Sequence, residues 1–293
     1  MLKEWPLVAF TILGQTAAGA ILVLSAILLF FAAPGWSLMP ARHLVLTVLE
    51  MALVLLGIAA ALSFFHLRFP FRAFRVLANL RTSWLSREIL CLLALLALIV
   101  LADILVRTGN AADLSFSIVM GALAVDGVLF LVSMSKIYML RSVPSWEPGY
   151  TGLSFFLTAG TLGAMATAWI TGTPPGNPYP LFSGLWLLSS LMIAVDVLVE
   201  SLETPVFGLD RSPAPSLRPP TRVPRRLHFG RLALLAGGLI LIILSLAETA
   251  PTAHPAAGPI GSRPTLNLAF VLVLMGAVAG RFLFYGLVPR PGD

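Results

Sequence analysis

The chain is a succession of long apolar runs broken by short polar or turn-forming stretches. Runs of 18 or more apolar residues read as membrane-crossing helices, each needing about 20 residues to span the hydrocarbon core. The pattern predicts an all-α, polytopic transmembrane bundle of eight helices, at 6–32, 43–66, 86–107, 113–139, 150–172, 180–203, 230–249 and 266–288. The breaks carry turn chemistry: Ala33-Pro34-Gly35, Thr108-Gly109-Asn110, Thr173-Pro174-Pro175-Gly176-Asn177-Pro178, and the stretch from Pro251 to Pro264. The organisation expected is a six-helix membrane bundle over 1–203, a Pro/Arg-rich connector over 204–229, and a final pair of helices over 230–293. The stretch from Trp5 to Phe31 is too long for the apolar core of a cleavable signal and reads as the first span.

Composition agrees with this pattern. Of 293 residues 58% are hydrophobic and only 11% charged, against about 45–50% and about 25% in soluble domains. The net charge of +6 would suggest nucleic acid in a soluble protein. Here nearly all basic residues fall between spans, so it reads as membrane orientation and no nucleic-acid partner is expected. Only Arg42, Arg107 and Arg263 lie on the face opposite the termini; every other Lys and Arg falls on or near the face that holds both ends. The positive-inside rule then puts both termini in the cytoplasm. The lone cysteine, Cys91, excludes an internal disulfide and a cysteine-ligated iron–sulfur cluster within this chain.

Chemistry concentrates at one membrane lip. The second span ends in Ser63-Phe64-Phe65-His66-Leu67-Arg68-Phe69-Pro70-Phe71-Arg72-Ala73-Phe74, an imidazole followed by arginines set among aromatics. An ionisable group there is a functional-site hypothesis by default. Glu88, at the start of the third span, lies on the same face. His66, Glu88 and an arginine at one lip suit quinol oxidation: imidazole or carboxylate accepts the hydroxyl proton as the electron leaves, and Phe64, Phe65, Phe69 and Phe71 offer flat walls for a ring. An interfacial His with snorkelling arginines accounts for the same residues. Asp126, Asp196 and Glu200 lie within spans, and Asp196, Glu200 and Glu203 recur at i, i+4, i+7 on one helical face. They read either as a proton path or as hydrogen-bonded acids that lock helices together. Small residues, Gly14, Ala18 and Ala20 in the first span and Gly160, Gly163 and Ala164 in the fifth, permit close helix contact. Trp5, Trp36, Trp84, Trp146 and Trp186 read as interfacial anchors.

No haem or metal is expected in this protein. Bis-His haem ligation needs two histidines facing one another, but His43 and His66 end one helix, roughly 35 Å apart at about 1.5 Å per residue. His254 lies in the Pro-rich loop, and His228 in the connector is the only partner on the His66 face. A haem-b quinol anchor, a proton-coupled transporter and a purely structural anchor stand as alternatives to a haem-free quinol site. Transporters of the usual kind show repeated halves and helices broken at mid-membrane, whereas proline here is concentrated in loops.

A set of short segments, in order along essentially the whole chain, resembles the membrane anchor subunit of dimethyl sulfoxide reductase-type molybdoenzymes. They are Glu4-Trp5-Pro6-Leu7 with Phe10-Thr11 and Gly14-Gln15; His66-Leu67 with Pro70 and Arg72-Ala73-Phe74; Leu85-Ser86 with Glu88-Ile89; Tyr138 with Val143-Pro144 and Trp146; Phe155-Phe156-Leu157-Thr158; and Gly280-Arg281 with Phe284-Tyr285-Gly286-Leu287. The resemblance implies an anchor in a bacterial or archaeal plasma membrane that oxidises menaquinol. It implies two partners: an iron–sulfur subunit that takes the electrons and a catalytic subunit with a molybdopterin cofactor. It carries the central quinol-binding role to His66, with Arg72 and Glu88 beside it and Gln15 and Tyr138 as further contacts. The long Pro/Arg connector departs from the family pattern.

Overall fold

The computed structural model describes residues 5–30, 38–66, 79–110, 114–139, 148–171, 179–208, 225–248 and 263–286. Among them are eight helices: α1 Trp5–Phe30, α2 Leu38–His66, α3 Trp84–Arg107, α4 Leu114–Tyr138, α5 Pro148–Thr171, α6 Tyr179–Gly208, α7 Arg225–Glu248 and α8 Arg263–Gly286. All eight are long and apolar enough to cross a membrane, and no strand occurs among the described residues. The chain is a multi-pass membrane protein. The connector expected over 204–229 is shorter than its proline content suggested: α6 continues to Gly208 and α7 begins at Arg225. His228 therefore sits in the first turns of a helix.

Helices α1 and α5 are the most enclosed, because each packs on several others: α1 on α2, α4, α5 and α8, and α5 on α1, α2, α4, α6 and α8. Their mutual contact rests on glycine. A Cβ on Gly19 would lie 1.8 Å from the Ala159 carbonyl oxygen, and one on Gly163 would lie 2.2 Å from the Gly19 carbonyl carbon. The backbones touch, as small-residue contacts in membranes allow. Gly19, absent from the expected set of small residues, is central to this contact; Gly160 instead makes room for Met192 of α6, and Gly14 for Phe130 and Met134 of α4.

The remaining helices complete the wall. α2 packs on α3, α3 on α4, α6 on α7, and α7 on α8. α3 starts where Ser83 accepts a hydrogen bond from the Ser86 backbone N–H, as an N-cap does. It ends at Thr108 and Gly109, the latter at φ 88°, a backbone region favourable to glycine. Trp5 and Trp84 are exposed, as interfacial anchors require, whereas Trp186 is fully enclosed and belongs to the core. Trp36 and Trp146 lie outside the described residues.

Candidate functional site

Buried polar side chains gather toward the end of the bundle where α1, α3, α5 and α7 start and α2, α4, α6 and α8 finish. One group centres on Arg281 of α8, which is 3% exposed. Its Nη2 donates to Gln15 Oε1 of α1 at 3.1 Å, to Thr158 Oγ1 of α5 at 3.3 Å and to the Ser154 carbonyl at 3.4 Å. Its guanidinium carbon lies 3.8 Å from the centre of the Phe155 ring, a cation–π contact. Every one of these partners is neutral, and among the described residues no carboxylate is within ion-pair reach. A cation held this way inside a membrane protein is costly, which makes Arg281 a candidate functional residue.

Four aromatic rings wall this group. Tyr138 of α4 lies 5.9 Å from Phe155, 5.6 Å from Phe284 and 5.2 Å from Tyr285, ring centre to ring centre, and all four side chains are buried. Glu88 is also buried, one turn into α3 beyond the Ser83 cap. The neighbouring Arg87 turns back over Trp84 and donates to the Leu80 and Arg81 carbonyls, so it does not neutralise Glu88. Gln15, Tyr138 and Glu88, three of the residues the sequence singled out, are thus all buried at this end of the bundle. His66 is the last residue of α2, which ends at the same lip, and its side chain lies outside the described residues, as does Arg72 entirely.

A second buried group joins α6 to α7. Arg231, 5% exposed, donates from Nη2 to Asp196 Oδ2 at 2.8 Å, and its Nη1 forms an ion pair with Glu200 Oε2 at 2.5 Å. His228 Nδ1 lies 3.1 Å from Glu200 Oε1. Tyr150 of α5 lies beside Arg231. Asp196 and Glu200 therefore share one helical face, as their spacing predicts. Asp126 lies apart from this group, beside Cys91 at the α3–α4 contact. Removing one member of a buried ion pair strands the other charge and costs about 3–5 kcal/mol. Arg231→Met is expected to destabilise the purified protein on that scale in thermal unfolding, and R231M/D196N/E200Q to recover much of the loss. Equal stability of R231M and the parent would contradict this pairing.

Both arginines correct the reading of charge from sequence. Counted as lip cations, Arg231 and Arg281 are interior residues, and Arg231 has two acids as partners. Part of the signal for Arg231 was present in the sequence, since His228 and Arg231 stand one turn apart on α7 as Asp196 and Glu200 do on α6; that the two pairs face one another is shown by the structure. At the other lip, Arg107 of α3 pairs with Asp103 at 2.6 Å and with Glu50 of α2, in an exposed setting.

Similarity to known proteins agrees with this architecture. A family model described as DMSO reductase anchor subunit (DmsC) matches residues 1–287. The chain is 30% identical to YnfH, a chain of an anaerobic dimethyl sulfoxide reductase of Escherichia coli (strain K12), over 97% of this chain and 94% of that one. It is 28% identical to a second anaerobic dimethyl sulfoxide reductase chain of the same organism, again over 97% and 94%. A sulfite dehydrogenase subunit of Allochromatium vinosum is 32% identical over about half the length of each protein. No solved structure matches significantly. With eight membrane-length helices and a match over nearly all of its length, the chain belongs to the DMSO reductase anchor subunit (DmsC) family.

Proposed function

We propose that this anchor subunit binds menaquinol, oxidises it, and delivers the electrons to an iron–sulfur subunit, which feeds a catalytic subunit with a molybdopterin cofactor. The setting is a bacterial or archaeal plasma membrane, with both termini in the cytoplasm. The observation that carries the reading is Arg281: a buried guanidinium whose partners among the described residues are all neutral, walled by four aromatic rings, a few turns from one lip. Quinol oxidation asks for that set. A hydroxyl that loses its proton before or with its electron becomes anionic, and a fixed cation in a dry site favours the charged form. Flat aromatic walls suit the ring. A base at the opposite hydroxyl takes its proton, the part assigned to His66, with Glu88 assisting and Arg72 close in sequence.

In this reading Gln15 orients Arg281, and Tyr138 forms part of the wall. The full complex in membranes tests it with two electron donors: a soluble naphthoquinol, which must use the anchor, and a reduced viologen dye, which can reduce an iron–sulfur subunit directly. His66→Ala is expected to abolish quinol-driven reduction by about 100-fold or more and to leave dye-driven reduction and assembly unchanged. Unaltered quinol turnover in H66A would remove His66 from the site. Failure of the parent complex to oxidise the quinol at all would remove the function.

A further inference from the structure

The second buried group has no role in the site described above, yet among the described ion pairs its charges do not balance. With both carboxylates ionised, Asp196, Glu200 and Arg231 sum to one excess negative charge. Protonating His228, 3.1 Å from Glu200, brings the sum to zero. The group around Arg281 has the opposite imbalance, one cation with neutral partners. The two groups meet at α8: a Cβ on Gly280 would lie 2.5 Å from Arg231 Nε, and Arg281 is the next residue. The two guanidinium groups are within electrostatic reach of one another.

A polar route also joins them. Thr158, which accepts from Arg281, lines a small cavity together with Thr161 and Asp196. The cavity is about the size of one water molecule. Asp196 Oδ1 is buried and has no partner among the described residues, while Oδ2 is held by Arg231. Glu200 follows one turn along α6 on the same guanidinium, and His228 follows on Glu200. The His228 side chain is 12% exposed; its Nε2 is itself buried and has no partner among the described residues. His228 is faced by Glu200 from α6 and by the Phe229 ring on its own helix; Glu200 also meets Arg231 of α7, which is flanked in turn by Asp196 of α6 and Tyr150 of α5.

We propose that Thr158, Asp196, Glu200 and His228 form a proton exit from the Arg281 site to the lip, with His228 as its terminal acceptor. The inference rests on the quinol reading and completes its stoichiometry. A quinol becomes a quinone by losing two electrons and two protons, the protons from hydroxyls at opposite ends of the ring. The electrons leave to the partner's iron–sulfur centre. One proton goes to the His66 side. The other passes from the hydroxyl near Arg281 through Thr158 and the cavity to the carboxylates and His228, and then to water at the lip. Each group gains what it lacked: the quinolate oxygen neutralises Arg281, and the imidazolium neutralises the second carboxylate. Arg231 is a positioning residue, since a guanidinium does not release its proton in proteins.

The test uses the assembled complex in membranes, with a soluble naphthoquinol as donor and a quinol-site inhibitor, an alkyl-hydroxyquinoline N-oxide, as a binding probe. His228→Gln keeps an amide to hydrogen-bond Glu200 and cannot relay a proton near neutral pH. We expect H228Q to lower quinol-driven turnover by about 100-fold, to bind the inhibitor as the parent does, and to keep dye-driven turnover. His228→Ala should lose as much and regain turnover when imidazole is added to the medium. Parent-level turnover in H228Q, inhibitor binding lost in step with turnover, or no imidazole response in H228A would each overturn the exit. Those outcomes leave the quinol reading standing, because it is read from the parent complex and H66A; a parent complex that oxidises no quinol overturns both.

Discussion

Arg281→Leu is expected to lower quinol-driven turnover of the complex by about 100- to 1,000-fold, the range seen when one preorganised donor to a developing oxyanion is removed. The leucine fills the same apolar space against Phe155 and Phe284, so the protein gains no buried charge and loses none of its ion pairs. Assembly and dye-driven turnover should therefore be retained, and stability should rise if anything, because a buried cation with neutral partners costs more than it returns. A variant both more stable and inactive is the signature of a residue held for function. Arg281→Lys keeps the charge and loses the planar fork. It also loses the flat guanidinium face against the Phe155 ring, and it is expected to fall between Leu and the parent. Gln15→Leu tests the orientation separately: the cation stays, one donor contact goes, and a smaller loss is expected. Turnover within a few-fold of the parent in R281L would show that the guanidinium meets no developing charge.

Much of this was legible in the amino-acid order. Eight spans follow from hydropathy, because no water is available in the bilayer to satisfy an open backbone and the helix is the way one segment satisfies its own. Glu88 is singled out by its place at the lip as well as by a matched segment, and Gln15 and Tyr138 by matched segments alone; that all three are buried is shown by the structure. Arg231 and Arg281 were misplaced because a rule about loop cations counts residues by distance from the span ends. Both lie inside a span, and only the facing helix shows whether an arginine there snorkels outward or turns inward. For Arg231 the partners Asp196 and Glu200 stand on α6, the first of them 35 residues earlier in the sequence. For Arg281 they stand on α1 and α5, 266 and 123 residues away. Nor could composition tell that the Pro-rich connector would give up several residues to the ends of α6 and α7. The α7 helix starts directly after Pro224, and His228 owes its helical setting, and its place beside Glu200, to that early start.

The α1–α5 contact is where sequence, packing and chemistry bear on the same few residues, and substitutions there are expected to have the second large effect. Gln15 is one turn before Gly19 on α1, and Thr158 adjoins Ala159, whose carbonyl the Gly19 Cα faces at closest approach. The distance between Gln15 and Thr158, and so the shape of the cradle around Arg281, is set by how closely these two backbones meet. A Cβ at Gly163 would sit 2.2 Å from backbone atoms of Gly19 and 2.4 Å from the Ala20 nitrogen, with no flexible side chain to give way. Gly163→Leu is expected to separate the two most enclosed helices of the bundle, and protein levels in the membrane should fall below detection by immunoblot. Gly163→Ala forces a smaller shift, with a typical overpacking cost of about 1–3 kcal/mol. It should leave an assembled complex whose quinol-driven turnover has dropped well below its dye-driven turnover, since the cradle widens before the bundle fails. Gly57→Ala and Gly184→Ala provide the contrast: a Cβ at either position meets nothing within 4 Å, and both should match the parent in level and turnover. If G163L accumulated and turned over quinol like G57A, the close crossing would not be what holds Gln15 and Thr158 around Arg281.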